Sequence, residues 1–172
     1  MTETTATTSA TATATEIPVV PAARIGNPAL IVQGAMKGLI AFSAAAEKVG
    51  LPKTLVKLVH LRASQINSCG VCVHMHGGEL REAGESDARI FSVAAWRDTP
   101  FYTAAERAAL ALTEDVTRIA DRSDAVSDEV WNEAAKHFGE QELAALLIEI
   151  AAINAWNRLN LASRQVAGQG WG

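Results

Sequence analysis

A chain of 172 residues suits one domain with a sizeable buried core, and 49% hydrophobic against 20% charged residues excludes a disordered or fibrous protein in favour of a helix-rich globular one. The formal net charge is −4 with both signs interspersed, which recommends no nucleic-acid partner. No run approaches the roughly 18 apolar residues of a membrane span, and Met1–Glu16 lacks the positive start and apolar stretch of a secretory signal, so a cytoplasmic location without membrane attachment is expected.

In chain order, residues 1–16 are almost entirely threonine and alanine and carry too little bulky apolar surface to offset ordering entropy. With Ile17–Ala23, punctuated by Pro18 and Pro21, they read as a tail and extended lead-in over 1–23, ahead of a single helical domain over 24–172. Asn27 predicts a helix cap with Pro28 at the first position, opening a helix that ends near Gly50. A second helix starts at Pro52, and Asn67-Ser68 breaks the chain before a helix that places Cys69 in its first turn. That helix runs past Gly77-Gly78 towards Gly84, and Ser86 or Asp87 caps a short one through Trp96. Thr103 to Glu106 matches a capping box, with Leu110, Leu112, Val116 and Ile119 available for the core. Ser127 opens a helix closed by Gly139, and a last, highly apolar helix runs from Glu140 to about Val166, central to the fold or to a subunit contact. Helical spacing dominates throughout, so the fold class is all-α.

The two cysteines of the chain, Cys69 and Cys72, stand three apart, and His76 follows four later. At about 3.6 residues per turn all three share one helix face while His74 points nearly opposite. Buried packing is one reading of such a pair. Zinc would need a fourth ligand brought in from His60 or His137, and a permanent staple is disfavoured in a reducing compartment. The pattern best fits a redox dithiol, in which one thiolate attacks and the second thiol closes an intramolecular disulfide. His76, one turn beyond Cys72, makes Cys72 the candidate attacking sulfur and Cys69 the resolving one, although a helix N-terminus would also acidify Cys69.

The stretch Leu58 to His76, with its Arg62-Ala63-Ser64-Gln65-Ile66-Asn67 lead into the cysteines, resembles the carboxymuconolactone decarboxylase superfamily, in particular its alkylhydroperoxidase D-like branch. Glu106–Glu114 and Ile153–Leu159 extend the resemblance. It implies a helical alkylhydroperoxidase D-like bundle, assembly into homotrimers or homohexamers, and reduction of hydroperoxides without metal or bound cofactor. Recharging would come from a dihydrolipoyl or similar dithiol partner. It further implies attack by Cys72, resolution by Cys69 and proton relay through His76. The chain departs from the pattern in two places. Lys57 stands where the family has a glutamate, twelve residues before the first cysteine, and Val71 stands where one subgroup has a histidine. Lys57 would then acidify a thiol by its charge while His60, a turn later, carries the proton, or would face solvent in a weak or inactive enzyme.

Among other residues, His137 reads as a capping cation at a helix end. Glu149, an acid inside the most apolar helix, reads either as a perturbed acid or base or, more commonly, as the partner of Arg62 or Arg158. Two rival functions remain: a decarboxylase acting on a small lactone acid without the thiols, and a non-catalytic oligomeric binding or stress-sensing protein.

Overall fold

The computed structural model describes residues 22–169, apart from the side chain of Asp121; of the tail and lead-in expected over 1–23, residues 1–21 lie outside the described residues. The described residues form helices and connections, with no strand among them. The Asn27 side chain accepts from the Ala29 N–H and Pro28 occupies the first position, but α1 (Pro28–Ile31) stops after one turn. Gly34 adopts φ 85°, a left-handed conformation that costs glycine little, and α2 (Ala35–Glu47) starts afresh. One expected helix is therefore two.

After Gly50 at φ 91°, α3 spans Lys53–Ile66 and α4 spans Gly70–Glu82. Their connection is three residues long because Ser68 takes φ 60° and lets the Cys69 N–H reach the Ser64 carbonyl at 2.9 Å. Ser86 caps α5 (Asp87–Ser92), which tightens into a 3-10 turn over Val93–Asp98. The capping box of Thr103 and Glu106 opens α6 (Ala104–Thr117). A second 3-10 turn, Ile119–Asp121, carries Ile119 out of the helix to 53% exposure, so the expected core role of that residue is not met. Ser127 caps α7 (Asp128–His137), whose acidic first turn and basic last turn complement the helix dipole. The 24-residue α8 (Glu140–Ser163) follows.

Helices α3 and α8 form the centre. On one side Leu55, Val59, Leu112, Leu146 and Ile150 pack together between α3, α6 and α8; on the other Leu58, Leu61, Leu80, Trp96, Tyr102 and Leu110 join α3 to α4 and α6. Each fully buried large aliphatic side chain contributes about 1.5–3 kcal/mol. A buried carboxylate cross-links this second core. Glu114 of α6 accepts from Arg62 of α3 at 2.7 Å, from the Trp96 indole N–H at 2.9 Å and from Arg97 at 2.5 Å. The segment leading into α1 is tied to the end of α8 by the Arg24 N–H, which donates to the Ser163 carbonyl at 2.9 Å. No helix among the described residues is long and apolar enough to cross a membrane.

Candidate active site

A third, small cluster of Ala63, Cys69, Cys72 and Ile153 sits where α3, α4 and α8 meet. The left-handed Ser68 makes Cys69 the N-cap of α4, with φ −82° and ψ 93°, rather than a member of its first turn as expected. Cys72 then lies one turn inside. Both thiols are free and buried, Cys69 at 1% and Cys72 at 0% exposure.

The surroundings of the two sulfurs differ in kind. Cys72 receives a hydrogen bond from the Cys69 thiol, and the Asn160 amide donates to its sulfur at 3.3 Å, with Asn157 and Ser64 also in reach. The Cys69 bond, helped by the amide and hydroxyl donors and opposed by burial, brings the Cys72 thiol down to about 6. Donating that same bond, together with burial, pushes the Cys69 thiol upward. The shared hydrogen bond thus favours the thiolate at Cys72 and the proton at Cys69.

His76 shares the face of Cys72, yet the expected imidazole–thiol pairing is not how it is bonded. Its Nδ1 meets Glu79 at 2.8 Å, and its Nε2 is buried without a protein partner. Glu79, three residues on, also receives Lys57 at 2.8 Å; the His76 bond foremost, then Lys57, holds its carboxyl near 2. An ionised Glu79 can only accept, so Nδ1 carries the hydrogen. Burial pushes His76 towards its neutral form, in which Nε2 is an open acceptor. Lys57 therefore neither faces solvent alone nor contacts a sulfur. It anchors a carboxylate that sequence reasoning passed over, although the i, i+3 spacing of His76 and Glu79 was visible.

His60 lies on α3 one turn from Lys57, its ring centroid 4.9 Å from that of His76. Its Nε2 is 2.9 Å from Glu149. This corrects the pairing expected for that acid: Arg62 is taken by Glu114, and Arg158 donates to the Asn154 carbonyl at 3.0 Å. His74 is exposed, as its phase predicts, and His137 closes α7 beside Glu133 at 3.4 Å. Ser64, Asn157 and Asn160 were not anticipated as sulfur partners. Their signal was faint, a few polar positions recurring on one side of apolar helices. Among the described residues no group of three His, Cys, Asp or Glu side chains is disposed to hold a metal ion.

Residues 33–115 match the carboxymuconolactone decarboxylase family. The uncharacterised protein YdfG of Bacillus subtilis is 36% identical over 110 residues, 64% of this chain and 74% of its own. The crystal structure of an Agrobacterium tumefaciens protein of unknown function, suggested to be the antioxidant defence protein AhpD, superposes with a TM-score of 0.80 at 34% identity, covering 86% of this chain and 99% of that one. The debrominase Bmp8 shares the fold at a TM-score of 0.66 and 21% identity, over 80% of this chain and 72% of its own. The chain belongs to the carboxymuconolactone decarboxylase family and has its alkylhydroperoxidase D-like helical fold.

Proposed function

We propose that the protein is a thiol-dependent peroxidase in which Cys72 attacks a hydroperoxide and Cys69 resolves. The supporting observation is the asymmetric setting of the pair, in which the Asn160 amide donates to the Cys72 sulfur at 3.3 Å and the contact between the thiols lowers Cys72 while raising Cys69. The thiolate sulfur forms a bond to the distal peroxide oxygen, the O–O bond breaks, and the alkoxide leaves with a proton to give an alcohol. Sulfur is oxidised to the sulfenic acid as the peroxide is reduced. The Cys69 sulfur then displaces hydroxide, which departs with the Cys69 proton as water, leaving the Cys69–Cys72 disulfide. An external dithiol, of the dihydrolipoyl type in this proposal, returns both thiols and becomes a disulfide itself. This cycle needs no metal or bound cofactor.

Assembly into homotrimers or homohexamers in the cytoplasm belongs to the same proposal. The exposed Leu30, Ile31, Ile40 and Phe42 of α1 and α2 are an apolar surface that such assembly would cover. One equivalent of hydroperoxide should remove two hydrogens from the intact protein by mass, with no loss in Cys72→Ser and a trappable sulfenic acid in Cys69→Ser. A second reading, a non-catalytic binding or stress-sensing protein, draws support from the complete burial of Cys72. Thiols left intact by excess peroxide would favour it.

A further inference from the structure

Among the described residues, three buried side-chain nitrogen or oxygen atoms have no protein partner: His60 Nδ1, His76 Nε2 and Glu149 Oε1. They belong to buried residues linked through His60, which meets both others: His60 is at 9%, His76 at 4% and Glu149 at 1% exposure. An orphaned buried polar atom costs about 1–3 kcal/mol, so three in one place are a standing expense that packing alone does not explain. The His60–Glu149 contact at 2.9 Å requires one hydrogen between nitrogen and oxygen. The His60 and His76 rings lie against each other, their centroids 4.9 Å apart at an interplanar angle of 56°. Lys57 and Glu79 close the other side of His76 with an ion pair and fix its tautomer.

We propose that Glu149 is a positioning residue of the thiol cycle, which through His60 holds the proton that His76 delivers to the departing alkoxide. The inference rests on the peroxidase reading. Its proton balance closes inside the protein: the proton Cys72 releases on ionising enters the His76–His60–Glu149 group, and the alkoxide takes it back when the O–O bond breaks. The Cys69 proton leaves separately with hydroxide. Glu149 touches neither sulfur nor substrate in this scheme; it acts by orienting and charging two imidazoles.

The test uses leaving groups of different basicity. An alkoxide needs a proton, whereas the carboxylate expelled from a peracid does not, so loss of an internal acid slows one substrate and spares the other. The full-length Glu149→Gln protein, of matched volume, is compared with wild type by stopped flow against tert-butyl hydroperoxide and a peracid. Expected is a fall of about 10²-fold in the rate of Cys72 oxidation by the hydroperoxide with the peracid rate within about threefold of wild type. Equal loss on both substrates marks a packing role and overturns the inference, as does no loss on either. If Glu149→Gln does not fold, His60→Gln is judged by the same ratio. Wild-type thiols that react with the peracid but never with the hydroperoxide would instead overturn the peroxidase reading, and the inference with it.

Discussion

Removing the Cys69 thiol tests the electrostatics of the sulfur pair directly. In Cys69→Ala the strongest donor to the Cys72 thiolate is lost, while Asn160, Asn157 and Ser64 remain. A hydrogen bond to a charged group is worth about 1.5–3 kcal/mol. At about 1.4 kcal/mol per pH unit, the midpoint of Cys72 ionisation should rise from about 6 by about one to two units. The thiolate fraction at pH 7 then drops from roughly nine-tenths to between roughly one-half and one-tenth. Absorbance at 240 nm against pH reads this cleanly, because the variant retains a single cysteine and wild-type Cys69 is pushed above the range scanned. Cys69→Ser, which keeps a hydroxyl donor, should move less than Cys69→Ala. A wild-type midpoint near the ordinary 8.5 or so, or a Cys69→Ala midpoint indistinguishable from wild type, would refute the reasoning.

Glu79, held near 2 by His76 and Lys57, contributes stability that is fully present above its ordinary carboxylate range and is lost as pH falls from about 4.5 towards 2. Glu79→Gln should flatten that part of a melting-temperature profile; an unchanged acid limb would remove the ion pair from the account. Glu114→Ala strands the partly buried Arg62 and the buried Trp96 N–H, and chemical denaturation should report a loss on the order of 3 kcal/mol, with Glu114→Gln milder. Ser68→Gly relieves a left-handed residue and should stabilise by up to about 1 kcal/mol without moving the Cys72 midpoint. A destabilised Ser68→Gly would mean that the serine side chain contributes more than its backbone costs.

Local chemistry made most of the helices legible. Asn27-Pro28, Ser86, Thr103 with Glu106, and Ser127 each open a helix where their side chains predict it, because capping depends on neighbours within a turn. The break at Gly34 was missed, since a glycine inside a helical pattern signals an interruption only when its φ turns positive. The cysteine face was readable from spacing alone. The donors that separate the two sulfurs were not, because Ser64, Asn157 and Asn160 reach them across helices brought together only by tertiary packing. The same limit explains Glu149: its partner His60 is 89 residues away in sequence, and nothing local distinguished it from the nearer arginine on its own helix.

Glu149, Ile153, Asn157 and Asn160 recur at intervals of four, four and three along α8, so they form one row about 16 Å long on a single rod. A twist or slide of that rod would withdraw the amides from Cys72 and the carboxylate from His60 in the same movement. Acidity at the sulfur and protonation at the imidazoles are thus mechanically geared together, and a substitution that reseats α8 anywhere along its length should disturb both at once.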